Sequence, residues 1–207
     1  HYNLSEPYRD LFSKALDYAR EIVSDKTNNQ HRQRVRWWSA LALLRALASS
    51  PAAAAATMRN RSATLETESD PEADELGRRL IMDIDDYDTT NTSDILPGSD
   101  SSPAADENTL SRRKLLEMAR VADSLYGDQD AKMLGLIQPL KDLITDRFSP
   151  IIFCRFIQTA EYLAEQLRER LPKSIQIMSI TGLLPPEERE DRVKEIAKFP
   201  SRILVCT

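Results

Sequence analysis

The chain has 207 residues, of which 41% are hydrophobic and 29% charged, with a formal net charge of −5 at pH 7. No apolar run approaches the roughly 18 residues that a membrane-spanning helix needs, so we expect no membrane partner. The two cysteines, Cys154 and Cys206, are too few for a disulfide-dense scaffold and lie outside any CxxC or His-Cys spacing, which argues against a zinc site or a redox motif. We interpret the chain as a piece of a longer, cytoplasmic protein.

Residues 1–64 predict a helical extension. Apolar residues recur at three- and four-residue spacing over 8–23, and a second helix is predicted over 31–48. The dipeptide Ser50-Pro51 is typical of the start of a third helix, because serine caps helices and proline suits the first helical position. An alanine run follows it, whose small side chains permit close helix packing.

Arginines are concentrated in this extension. Residues 28–64 contain six arginines and no acidic residue, and Arg32 and Arg36 lie one helical turn apart beside the pair Trp37-Trp38. Because Lys and Arg supply the sequence-independent part of nucleic-acid affinity, Arg32 and Arg36 are candidate phosphate contacts. The alternative is a solvated helix face with the tryptophans in the core.

Residues 65–108 predict a disordered acidic linker. Fourteen of the 33 acidic residues fall there, but only two of the 28 basic ones. The segment has few large apolar residues, so it cannot bury enough surface to offset its ordering entropy. Residues 83–88 lack the glycine and the distal glutamate of a calcium loop. We hypothesise that the linker covers the arginine-rich surface electrostatically when nucleic acid is absent.

Helical spacing then returns. Residues 109–128 predict a helix that completes the extension, and Gly127 favours its end. A further helix is expected over 130–145, interrupted or kinked at Pro139.

The last part of the chain, residues 129–207, predicts an α/β fold. Apolar runs indicate strands at 151–156, 174–180 and 202–207, and the first has the composition of a strand buried on both faces. Helices are predicted between them, with Thr159 as N-cap of the first. The short strand–helix–strand connections imply right-handed crossovers and a three-stranded parallel sheet.

Ligands of such sheets bind at the carboxyl ends of the strands. The residues that this rule places together are Arg155, Phe156, Thr181, Gly182 and Thr207.

These strand ends resemble motifs of superfamily 2 helicases. Residues 151–156 with the following helix are similar to motif IV, Thr181-Gly182 with Arg189 to the "G…xxR" element, and residues 202–207 to the opening of motif V. Residues 129–207 therefore resemble a truncated second RecA-like lobe. The opening segment, with Glu6, Leu11-Phe12 and Tyr18 at their spacing, is similar to the helical extension of bacterial Swi/Snf-type helicases. Within that group, residues 49–54 and the arginine-rich helix suggest the helicases of phage-defence (DISARM-like) systems.

The resemblance implies part of an ATP-driven motor on double-stranded nucleic acid, whose missing first RecA-like lobe belongs to the same polypeptide. Double-stranded DNA is the expected partner, and RNA stays open as the alternative. The residues that it assigns to nucleic-acid contacts are Arg155, Phe156, Thr181, Gly182, Arg189 and Thr207. Alternatives stay open, because Arg189 can pair with a neighbouring glutamate, Phe156 can lie in the core and Gly182 can serve only a tight turn.

The sequence departs from the family pattern in the motifs that bind and hydrolyse ATP. None of the five glycines lies in a GxxxxGK[ST] loop, and Pro186 stands where DEAD-box relatives carry glutamine. We therefore expect no catalytic residue, no cofactor and no ATPase activity in these 207 residues, whereas the full-length protein would use ATP and Mg²⁺. The alternatives are a non-catalytic protein-interaction module and a nucleotide-binding α/β domain, the latter weakened by the lack of a glycine-rich loop.

Overall fold

The computed structural model describes residues 2–24, 30–64 and 108–207. Within these ranges the chain forms seven α-helices, one 3-10 turn and three β-strands. In chain order they are α1 (Glu6–Ser24), α2 (Gln30–Ser49), α3 (Pro51–Thr64), α4 (Asn108–Ser124), the 3-10 turn (Gly127–Gln129), α5 (Ala131–Thr145), β1 (Ile151–Phe153), α6 (Ile157–Arg170), β2 (Gln176–Ile180), α7 (Pro186–Ile196) and β3 (Arg202–Cys206). The predicted acidic linker lies outside the described residues, except for Asn108.

The three strands form one parallel sheet in the order β1-β3-β2. Val205 of β3 pairs with Ile152 of β1 on one side and with Ser179 of β2 on the other. This arrangement confirms the predicted fold class, a partial RecA-like α/β sheet preceded by a helical extension.

The position of β1 corrects the sequence prediction that it is buried on both faces. It is an edge strand, and the side chains of Ile151 and Phe153 are 56% and 79% exposed. The central strand is β3, where Ile203 and Val205 are fully buried. The position of a strand in the sheet depends on the path of the crossover connections. The apolar composition of a single strand therefore does not predict whether it lies in the centre or at the edge.

Helices α5 and α6 cover one face of the sheet. The predicted inward residues of α6 are all buried, and Met133 and Leu140 of α5 join them in one cluster: Ala160, Leu163, Ala164 and Leu167. Helix α7 contacts β2. Of its predicted inward residues, Ile196 is buried, whereas Val193 and Ala197 are exposed, so that prediction is wrong for two of three.

Two local predictions about helices are wrong, one of them in part. Helix α5 runs without interruption through Pro139, whereas the alternative of a kink there stays a prediction. The proline cannot donate a hydrogen bond to the carbonyl of Gly135, but both residues are exposed, so water can satisfy that carbonyl. Helix α6 begins at Ile157, and its N-cap is Phe156, so Thr159 lies inside the helix instead of capping it.

Helices α1 to α4 form the extension around their own core. The inward stripe predicted for α4 is buried together with residues of α1, α2 and α3; its members are Leu115, Met118, Ala119, Ala122 and Leu125. In the alanine run of α3, Ala52 to Ala55 are buried and Ala56 is half-buried, and α3 packs along α4. The predicted cap of α3 forms, since Ala53 N donates to Ser50 Oγ over 3.1 Å.

The extension is joined to the α/β part by polar and apolar contacts. Thr159 Oγ1 on α6 hydrogen-bonds to Ser49 Oγ at 2.9 Å and to Ser50 Oγ at 2.7 Å. Beside these hydroxyls, Phe156 packs with Ala46 and Ala53 in a separate buried cluster. The turn between α2 and α3 is therefore the point at which the extension meets the sheet's carboxyl edge.

Candidate nucleic-acid interface

The carboxyl ends of β2 and β3 bring three of the predicted residues together. Thr207 N donates to Ile180 O over 3.4 Å, and Gly182 N donates to Thr207 Oγ1 over 3.3 Å. Thr181 is buried, whereas Gly182 is exposed and Thr207 is half-buried. A hydroxyl and a peptide N–H thus meet at one surface point, as the strand-end rule predicts.

The tight-turn alternative for Gly182 finds limited support. Leu184 N donates to Thr181 O over 3.1 Å, which closes a turn around this glycine. In the part of the chain that the structure describes, Gly127 is the one glycine with positive φ, so the turn does not need a left-handed residue at position 182.

Arg189 lies on α7, the helix that follows β2 in the chain. Its side chain is exposed and has no hydrogen-bond or ion-pair partner among the described residues. Its helical neighbours do form pairs, Arg192 with Glu188 at 2.9 Å and Lys194 with Glu190 at 3.2 Å. The alternative that Arg189 pairs with a neighbouring glutamate is therefore not seen.

Arg155 and Phe156, which follow β1, lie in different surroundings. Phe156 is only 6% exposed and packs in the core, which is the alternative left open by the sequence. Arg155 is half-buried and lines a cleft described below. A nucleic-acid contact from the Phe156 ring would need this packing to open.

Of the two candidate phosphate contacts in α2, the structure describes the side chain of Arg36, and that side chain is buried. Arg36 is 7% exposed, whereas Trp37 is 52% exposed, the reverse of the alternative in which the helix face is solvated and the tryptophans lie in the core. Arg36 belongs to a buried stripe with Ala40 and Leu43, at helical spacing, so packing and not solvent surrounds it. The side chain of Arg32 lies outside the described residues.

A cleft of about 520 Å³ lies where the extension meets the α/β part. Its polar lining includes Arg45 near the end of α2, Lys132 at the start of α5 and Arg155 after β1. The sequence analysis missed Arg45 and Lys132, because no local pattern relates residues that distant in the chain. Met133, Leu136 and Ile152 contribute to its apolar walls.

Asp130 at the base of this cleft is held by donors from the chain itself. The residue is 4% exposed. Its Oδ1 accepts hydrogen bonds from the backbone N–H groups of Lys132 and Met133, both at 3.1 Å, which caps α5. Its Oδ2 accepts a bond from Tyr162 Oη at 3.2 Å, and Tyr162 Oη in turn accepts one from Gly127 N at 3.1 Å. Burial raises the pKa of Tyr162 above its usual range, so the phenol stays a neutral donor.

The two cysteines show no sign of activation. Burial raises the pKa of Cys154 to about 11 and also raises the pKa of Cys206, so both thiols are protonated near neutral pH. Over residues 2–24, 30–64 and 108–207, no group of three or more His, Cys, Asp or Glu side chains is placed to hold a metal ion. In the same ranges, no helix has both the length and the apolar character to cross a bilayer.

Comparison with known families bears on the α/β part. Residues 135–207 match the helicase conserved C-terminal domain. The match begins within α5 and includes all three strands with the strand-end residues 181, 182 and 207. No curated protein and no solved structure matches the chain significantly. The chain thus carries a helicase C-terminal domain, consistent with the C-terminal lobe of a superfamily 2 helicase.

Proposed function

We propose that this chain is part of an ATP-dependent, Swi/Snf-like helicase or translocase, and that its second RecA-like lobe contacts the backbone of double-stranded DNA. The observation that carries the proposal is the meeting of Gly182 N with Thr207 Oγ1 at the carboxyl ends of two parallel strands. That point lies inside the stretch that matches the helicase C-terminal domain. The phage-defence subtype rests on the resemblance of residues 49–54 and of the arginine-rich helix.

The groups at this edge suit phosphate better than bases. The Thr207 hydroxyl and the exposed guanidinium of Arg189 are donors, and phosphate oxygens are acceptors that carry no sequence information. The Gly182 N–H donates to Thr207 Oγ1 and so orients this hydroxyl. The motor would therefore hold duplex DNA without sequence preference. Glu187 and Glu188 in the first turn of α7 repel a polyanion, and this repulsion lowers the affinity that the donors supply.

Hydrolysis of ATP belongs, in this proposal, to residues outside these 207. The sequence has no GxxxxGK[ST] loop to cradle the phosphates, and phosphoryl transfer also needs a Mg²⁺ ligand and a charge-neutralising arginine. We propose that a first RecA-like lobe of the same polypeptide supplies the nucleotide-binding loop. The two free thiols agree with a cytoplasmic location. The purified chain should show no DNA-stimulated ATPase activity.

The test is binding of fluorescent duplex DNA by the purified chain across a range of salt concentrations. Arg189→Ala should weaken binding to all sequences alike and lower the salt slope by about 1, because one phosphate contact is lost. The matched control is Lys194→Ala on the same helix, since Lys194 is already paired with Glu190. Equal effects of the two variants, or no duplex binding at all, would contradict the proposal.

One observation favours the second candidate, a protein-interaction module. The edge strand β1 exposes Ile151 and Phe153, which together offer apolar surface beside unpaired backbone groups. This function predicts no duplex affinity and concentration-dependent association through β1. Phe153→Lys would abolish that association, which sedimentation velocity would measure.

A further inference from the structure

Three cations from separate parts of the chain line the cleft between the extension and the α/β part. Arg45 comes from α2, Lys132 from α5 and Arg155 from the connection that follows β1. Among the described residues that line the cleft, Asp130 is the only one with a carboxylate. Among these described lining residues, cations therefore outnumber carboxylates by three to one. They lie beside apolar walls, where charge interactions are less screened than in open water.

The carboxylate of Asp130 is buried and does not point freely into the cleft to neutralise the three cations. Its two oxygens are occupied by two backbone N–H groups and the Tyr162 hydroxyl, and the residue is buried. Because these donors already satisfy it, Asp130 shapes the floor of the cleft by capping α5.

Lys132 keeps a donor for a ligand. Its ammonium donates to the carbonyls of Ala48 and Ser49 at the end of α2, each over 3.1 Å. An ammonium has three N–H donors, so one remains. The same contacts fix the position of the ammonium beside the cleft. Less side-chain entropy is therefore lost when a ligand binds.

Three hydroxyl-bearing residues also line the cleft, namely Ser49, Ser50 and Thr159. Thr159 Oγ1 hydrogen-bonds to both serine hydroxyls, so the three form one linked polar group between the extension and α6.

We propose that this cleft is an anion site that takes phosphate groups of the nucleic-acid backbone, with Arg45 of the extension acting beside Lys132 and Arg155 of the α/β part. The inference rests on the proposed function and extends it, because it makes the helical extension part of the binding surface. Free phosphate compounds share the chemistry that the cleft recognises, so the experiment needs one arm for each source.

In the first arm, anisotropy measures the affinity of the full 207-residue chain for a short DNA duplex at several salt concentrations. Arg45→Gln and Lys132→Gln should each weaken binding about tenfold, the value of one charge-assisted contact, and lower the salt slope by about 1. The controls are Arg20→Gln, an exposed arginine of α1, and Lys141→Gln, an exposed lysine of α5, neither of which lines the cleft. Melting curves check folding, since Lys132 also ties α5 to α2; if Lys132→Gln is unfolded, Arg45→Gln decides.

In the second arm, the melting temperature of the wild-type chain is followed with inorganic pyrophosphate. If the cleft variants bind duplex DNA as tightly as the control variants do, this inference is wrong. If Arg189→Ala binds duplex DNA more weakly in the same experiment, the proposed function is still supported. A chain that binds no duplex overturns both. Stabilisation by pyrophosphate in a chain that does not bind duplex would assign the cleft to small phosphates and overturn the nucleic-acid inference.

Discussion

Truncation of Phe156 tests whether this ring joins the extension to the α/β part or contacts nucleic acid. The ring is 6% exposed and packs against Ala46 and Ala53, two side chains too small to fill the space it would leave. Phe→Ala changes in cores cost about 3–5 kcal/mol. Since the ring also borders the cleft, water can enter the space, and we expect the lower end, about 3 kcal/mol, for Phe156→Ala.

Urea unfolding followed by circular dichroism measures this cost. With a slope of about 2–3 kcal/mol per molar urea, the midpoint should fall by about 1 M. The matched control is Phe148→Ala, because Phe148 is 59% exposed and should cost less than about 1 kcal/mol. Both variants should keep the duplex affinity of the wild type under conditions in which they are folded.

The opposite pattern would refute the reasoning. If Phe156→Ala is as stable as Phe148→Ala but binds duplex DNA more weakly, the ring is a nucleic-acid contact and the packing with Ala46 and Ala53 does not hold the two parts together.

Three further predictions concern the turn and the cleft. Gly127→Ala should lower the free energy of unfolding by about 1 kcal/mol, because φ is +73° and an added Cβ would lie 3.0 Å from Arg170 Nη2; a melting curve equal to that of the wild type would count against this. Asp130→Asn should cost about 1–2 kcal/mol, since it weakens the cap of α5 and the bond from Tyr162, and chemical denaturation measures the loss. Alkylation of Cys154 should be slow at pH 8 and accelerate toward pH 11, because its raised pKa leaves little thiolate below that pH; mass spectrometry of a pH series would detect the site, and fast modification at pH 8 would contradict it.

Much of the local structure could be predicted from the sequence. The inward faces of α4 and α6 follow from helical spacing, and the capping role of Ser50 and the left-handed Gly127 follow from rules that span a few residues. The meeting of Gly182 with Thr207 was also predictable, because the carboxyl ends of parallel strands share one edge. Whether these residues bind nucleic acid stays a prediction.

The errors share one cause, which is that burial at a given residue depends on elements far away in the chain. Arg36 is polar but lies on the buried stripe of α2, and Phe153 is apolar but lies on an edge strand that no described element covers on its outer side. Thr159 looked like a cap, yet its hydroxyl bonds to the end of α2, more than a hundred residues earlier.

By itself, the sequence determined the order of helices and strands, the parallel direction of the sheet and the chemistry available at its carboxyl edge, since these depend on periodicity, caps and crossover handedness. The tertiary structure alone decided which strand lies in the centre and which residues share the cleft. Arg45, Lys132 and Arg155 become neighbours only when α2, α5 and β1 pack together, and no local interaction encodes that contact.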